Sequence, residues 1–130
     1  MNRMVSLFKA LSDWNRQRIL AALTLQDELC ACQITELLQV SGATTSRHLA
    51  ILNAAGLIHN RKEGRWVYYK LAEPQELKVL MDWMTDEFAR SEDLADDRIS
   101  LKKITAFAPE DICRKQRGEQ CCPKQKDEDR

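Results

Sequence analysis

The chain has 130 residues, 44% of them hydrophobic and 31% charged, with 20 basic side chains set against 20 acidic ones. That length suits one modest domain and is short for an enzyme with a deep cleft. No run approaches the ~18 apolar residues of a membrane span. Met1-Asn2-Arg3-Met4 lacks the apolar core of a signal peptide, so a cytoplasmic protein with no membrane partner is expected.

The zero net charge conceals an asymmetry. Residues 1–70 hold nine Lys/Arg and five Asp/Glu, a balance of +4, and residues 71–130 hold eleven and fifteen, a balance of −4. Within residues 41–70 the count is five basic to one acidic, so this stretch is the one suited to phosphates.

Met4, Leu7, Phe8 and Leu11 recur at helical spacing and predict a first helix. Ser12 or Asp13 then caps a second over Trp14 to Leu25, with Ile19, Leu20 and Leu23 inward. Arg16 and Arg18 point elsewhere, onto a solvated face or onto phosphate. Gln26 to Leu29 reads as a polar connection, and Cys30-Ala31-Cys32 stands where a third helix begins. Ile34, Leu37 and Leu38 form its apolar face, and it ends near Gln39 or Val40.

Ser41 is a good N-cap for a fourth helix, and Gly56 supplies the left-handed residue that stops it. Its apolar residues Leu49, Ile51 and Leu52 come late, whereas the first turns carry Thr44, Thr45, Ser46, Arg47 and His48. A buried C-terminal half and a polar N-terminal end describe a recognition helix, with Ser41 and those five side chains placed to meet phosphates or base edges. An ordinary amphipathic helix with a polar start fits the same pattern. The following residues favour the first reading.

Leu57 to Arg61 and Trp66 to Leu71 read as two strands joined at Lys62-Glu63-Gly64, with Arg61, Lys62 and Arg65 at the tip. A helix-turn-helix followed at once by a basic hairpin is a winged helix-turn-helix: a mainly α fold with a small β-hairpin and double-stranded operator DNA as partner. Pro74 suits the start of a fifth helix bearing Leu77, Leu80, Met81, Met84 and Phe88, with Trp83 beside them. So small a core has little use for another wide apolar face. A homodimer through the first and fifth helices is therefore expected, to match a twofold operator. The domain is set at residues 1–92 and a C-terminal extension at 93–130. Leu94, Ile99, Leu101 and Ile104 allow a further helix, and Arg114 to Arg130 reads as a flexible tail.

Five cysteines, Cys30, Cys32, Cys113, Cys121 and Cys122, are an odd number and form no secreted framework. Thiols at a helix N-terminus have favoured thiolates, so Cys30 and Cys32 are candidate ligands for soft ions: trivalent arsenic or antimony, cadmium, lead or cuprous copper. With His48 and His59 as the only histidines, both in the basic module, a histidine-rich zinc site is not available. If Cys30 and Cys32 were both helical they would lie about 200° apart at ~3.6 residues per turn, and one ion could hold both only by unwinding that turn.

Glu28-Leu29-Cys30-Ala31-Cys32-Gln33-Ile34, Ser46 to Leu52, Gly56-Leu57-Ile58 and Arg61 to Tyr69, in this order and spacing, resemble the arsenical-resistance repressors of the ArsR/SmtB family over roughly Leu7 to Leu71. The resemblance implies a homodimeric winged-helix repressor that leaves its operator when trivalent arsenic or antimony, its inducer, binds cysteine thiolates at the start of the third helix. No cofactor is implied for the DNA-bound state. The chain departs from the pattern at Thr35, where the family often has a third cysteine. Trivalent arsenic prefers three sulfurs in a pyramid. The third can come from a small cellular thiol or from Cys113, Cys121 or Cys122, or those three can form a site of their own. The family's zinc branch uses a histidine in the fifth helix, and this chain has none there.

Two further readings compete with an arsenic or antimony response. One is a repressor on the same fold that senses thiol oxidation, cadmium or lead, and the other is a metal carrier with a vestigial helix-turn-helix. No nucleophile–base pair, phosphate loop or carboxylate pair suggests an enzyme.

Overall fold

The computed structural model describes residues 2–64 and 66–117, without the side chains of Arg114 and Arg117. The elements run α1 (Arg3–Leu11), α2 (Trp14–Leu25), β1 (Leu29–Cys30), α3 (Ala31–Leu38), α4 (Gly42–Ala54), β2 (Ile58–Glu63), β3 (Trp66–Leu71), α5 (Lys78–Arg90), α6 (Ala95–Thr105) and α7 (Pro109–Arg117). Single 3₁₀ turns at Gln75–Leu77 and Glu92–Leu94 lead into α5 and α6.

Local chemistry sets the helix boundaries. Asn2, Asp13 and Ser41 each accept a backbone N–H of the first turn of α1, α2 and α4. Gln39 stops α3 in the left-handed conformation at φ 58°, and Gly56 follows α4 at φ 79°. The hairpin pairs Glu63 with Trp66, and Gly64 at φ 64° opens the turn. The turn is therefore tighter than Lys62-Glu63-Gly64, because β2 runs on through Glu63.

Ile19, Leu20, Ile34, Leu49, Leu52, Leu57 and Ile58 are almost completely buried and form the centre of one core. At ~25 cal/mol per Å² of apolar area, each contributes about 1.5–3 kcal/mol against exposure. Two regions depart from the sequence reading. Leu29 and Cys30, expected as loop and helix start, form a short edge strand: Leu29 pairs with Tyr69 and Cys30 with Tyr68, in the sheet order β1-β3-β2. The C-terminal extension also stays on the core beyond residue 92, because Leu101, Ile104 and Ile112 join the same cluster and Leu94 is buried. Ile99 alone of the four expected apolar residues faces out. Arg98 caps the end of α5 through the carbonyls of Phe88 and Ser91.

The two arginines of α2 are structural. Arg16 donates to the carbonyls of Lys9 and Ala10, which closes α1. Arg18 makes a two-pronged pair with Asp97 of α6 at 2.8 and 3.0 Å and donates to the Leu37 carbonyl, so it ties α2, α3 and α6 together. Neither lies on an open solvated face. By contrast, Met4, Val5 and Phe8 on α1 and Val79 and Trp83 on α5 are exposed. Among the described residues no helix is long and apolar enough to cross a membrane.

Candidate functional site

The first candidate surface is the polar half of α4 with the hairpin. Ser41, Ser46 and Arg47 are exposed and Thr44 is half-buried. Ser41 Oγ caps Thr44, and Arg47 donates to Thr44 Oγ1 at 3.2 Å. Thr45 departs from the expectation. It is 1% exposed, and its hydroxyl lies 2.9 Å from Thr35 Oγ1 and donates to the Ser41 carbonyl, so it pins α4 to α3 instead of reaching a groove. His48 also turns inward: its side chain is 14% exposed, with Nδ1 3.1 Å from an Arg16 nitrogen and 3.8 Å from Asp13. Ile51, expected in the apolar face, is exposed. These placements follow from helix period: Thr45, Leu49 and Leu52 share the buried stripe.

On the hairpin, Lys62 is exposed, whereas Arg61 is occupied. Its guanidinium bridges both oxygens of Glu28 at 2.7 and 2.8 Å, touches Glu63 at 2.7 Å and lies 4.7 Å from the centre of the Tyr68 ring. This contact holds the Glu28 carboxyl below the usual carboxylate range. Arg65 lies outside the described residues.

The second candidate is a thiol corner between β1, α3, β3 and α7. Cys30 is the N-cap of α3, with extended backbone (φ −87°, ψ 166°), and Cys32 is the second helical residue. The two sulfurs do not diverge by about 200°, because only one of them is on the helix. Gln33 Oε1 accepts the Cys30 N–H at 2.9 Å, and the Gln33 amide returns to the Cys30 sulfur, which forms a capping box. Unwinding of the first turn is therefore not needed to bring the pair together.

Cys32 packs against the cluster that holds Cys30 and Cys113. Cys30 and Cys113 are 1% and 2% exposed and pack with Trp66 in a small cluster of their own, with Cys32 and Tyr68 against it. The hydrogen bond from Cys32 and the amides of Gln33 and Cys32 hold the Cys30 thiol below its ordinary range despite burial. The Cys30 contact, burial and Cys113 push the Cys32 thiol up. All three cysteines are free.

Among the described residues no group of three or more His, Cys, Asp or Glu side chains already surrounds a point that a metal ion would fill. Cys30, Cys32 and Cys113 nevertheless meet in one packed cluster with Trp66. Cys121 and Cys122 lie outside the described residues. The presence of Cys113 here was readable only as a reserve thiol, since nothing local in residues 109–117 says which neighbour its helix will meet.

Known proteins resemble this chain in sequence and in fold. The profile of the bacterial regulatory proteins of the arsR family matches residues 13–60. The arsenic resistance transcriptional regulator ArsR1 of Pseudomonas putida is 36% identical over 100 residues, spanning 75% of this chain and 77% of that protein. The cadmium resistance regulatory protein CadC of Listeria innocua is 48% identical over 73 residues, 56% of this chain and 59% of its own length. Among solved structures, the homodimeric winged helix-turn-helix DNA-binding domain from Mycobacterium bovis superposes with a TM-score of 0.58 at 26% identity, covering 69% of this chain and 82% of that one. With a helix-turn-helix of α3 and α4, a β2–β3 wing and these relatives, the chain belongs to the arsR family of bacterial transcriptional regulators, DNA-binding proteins and not enzymes.

Proposed function

We propose that this regulator is a homodimeric repressor that holds operator DNA through α4 and the wing and releases it when trivalent arsenic or antimony binds the thiols of Cys30 and Cys32. The observation that carries this reading is the placement of Cys30 at the N-cap of α3 with Cys32 packed against its cluster. The Thr35–Thr45 hydrogen bond supports a route to DNA, since it joins the helix holding Cys32 to the helix that reads the groove. An ion that draws two sulfurs together stabilises one placement of α3 over another, and release follows from that difference in affinity. Dimerisation is supported by the exposed apolar side chains of α1 and α5 and by the homodimeric relative.

The test is operator binding titrated with arsenite, antimonite, cadmium and peroxide. Arsenite and antimonite should release the parent protein. Cys30→Ser and Cys32→Ser should hold the operator as the parent does and ignore both. Release of Cys30→Ser at the parental arsenite concentration refutes the reading. Release by peroxide without release by arsenite replaces it with a thiol-redox sensor, and release by cadmium alone with a cadmium sensor.

A further inference from the structure

We propose that Cys113 is the third sulfur of the inducer site and that α7 is the clasp that carries it there within one subunit. This inference rests on the reading that Cys30 and Cys32 take the inducer. It goes further by naming the residue that completes the pyramid and the device that aims it. Two sulfurs leave trivalent arsenic or antimony one bond short, and Thr35 stands where a third cysteine of α3 would otherwise supply it. The thiol that shares a buried cluster with Cys30, with Cys32 packed against it, is instead that of Cys113.

The contacts of α7 are built around that meeting. Ile112, one residue before, is 5% exposed and belongs to the main core, which fixes the depth of the helix. Gln116 donates to the carbonyl of Cys32 itself at 2.9 Å and to Glu36 at 3.1 Å, across 84 residues of sequence in the first case. Lys115 pairs with the other oxygen of Glu36 at 3.1 Å. Depth, rotation and axial position of α7 are thus each set by a contact to the core or to α3, and the residue they bury between them is Cys113. A lone thiol packed as a small apolar side chain would need no such aim, nor a second and third thiol against it.

The chemistry balances without any redox partner. Trihydroxyarsenic exchanges three As–O bonds for three As–S bonds, each thiol proton leaves with a hydroxyl as water, and arsenic stays trivalent. The product staples β1 and α3 to α7, residues far apart in sequence. The bound inducer then resists loss, because one sulfur can let go only while two others hold it.

The experiment uses the full chain with Cys121→Ser and Cys122→Ser, which removes the two remaining thiols. In that background arsenite should protect three thiols per chain from a thiol reagent and give near-ultraviolet arsenic–sulfur absorption. Adding Cys113→Ser should leave two protected thiols and raise the arsenite needed for half-release by more than about 100-fold, beyond the 10–100-fold typical of losing a supporting contact. Phenylarsonous acid, which has just two exchangeable hydroxyls, should release both proteins at similar concentrations. That equality shows a folded, responsive Cys113→Ser. Gln116→Ala, which keeps every thiol, should weaken arsenite more than the phenyl compound.

Equal arsenite affinity with and without Cys113 overturns the clasp while leaving the Cys30 and Cys32 reading intact. Loss of the arsenite response in the Cys121→Ser, Cys122→Ser background overturns it as well, in favour of the tail. Release of Cys30→Ser at the parental arsenite concentration overturns the reading beneath both.

Discussion

The surface formed by α4 and the hairpin comes from consecutive residues 42–71, whereas the thiol corner joins the start of α3 to a helix near the other end of the sequence. The first is ordered by local rules: a serine cap, a glycine stop, and a two-strand register closed by Gly64. The second exists only after folding, when Ile112 enters the core and Gln116 finds the Cys32 carbonyl. The difference teaches that a surface built from neighbouring residues can be recognised before the fold is known, and a site assembled across the chain cannot.

Two predictions of the proposals probe the thiol corner from within: loss of arsenite release in Cys30→Ser, and the weakened, two-thiol response of Cys113→Ser. Three more set the regions against each other. The largest effect belongs to the surface that neither region uses. Val79 is 85% exposed and Trp83 59%, and Phe8 lines the same groove as Trp83, so Val79→Glu with Trp83→Glu should leave the fold intact and split the dimer. Operator affinity should fall by more than about 100-fold, since one recognition helix cannot use two half-sites. Sedimentation of an intact dimer in this variant would move the interface elsewhere. Leu80→Glu with Met84→Glu is the poorer test, because Met84 at 7% exposure belongs to the core of its own chain and its loss unfolds the protomer.

Legibility followed the same division. The caps at Asp13 and Ser41, the stop at Gly56, and the strands around Gly64 were all readable, because each depends on one or two neighbours. Thr45 was misplaced toward the groove because a hydroxyl looks equally fit for a phosphate or for a buried partner, and Thr35 Oγ1, ten residues back, decided between them. His48 was misplaced for a related reason, since Arg16 and Asp13 lie on another helix. β1 was missed because two residues carry no period; their partner Tyr68-Tyr69 supplies the pairing. The sequence sets the extension apart at residue 92 because its apolar residues are sparse, yet Leu94, Leu101, Ile104 and Ile112 are buried.

The middle-sized prediction concerns the link between the regions. Thr35→Val removes the hydroxyl that joins α3 to Thr45, at a cost of about 1 kcal/mol or a few degrees in melting temperature. Arsenite should still bind, and its protection of the three thiols should be unchanged. Operator release should need more arsenite, because the reading helix no longer follows α3 as closely. If Thr35→Val binds and releases as the parent does, coupling runs through β1 and the wing and not through this hydrogen bond.

The smallest effect separates two cations that sit side by side at the wing. Arg61 spends its charge inside the protein: both Glu28 oxygens and Glu63 surround the guanidinium, and the Tyr68 ring lies beneath it. Lys62, next to it, is exposed. A phosphate contact contributes about −0.9 to the slope of log affinity against log salt. Lys62→Ala should therefore flatten that slope by about one unit, uniformly across operator sequences. Arg61→Ala should flatten it by less than half as much, since an arginine that enters a phosphate contact must first leave two carboxylates that already satisfy it. Glu28→Gln sharpens the comparison: with one carboxylate neutralised, Arg61 should gain a share of the salt dependence that it lacks in the parent. Equal slopes for Arg61→Ala and Lys62→Ala would mean that Glu28 lets go on the operator. The wing would then be tied to the strand that ends in Cys30 only when DNA is absent, because Glu28 stands two residues from that thiol.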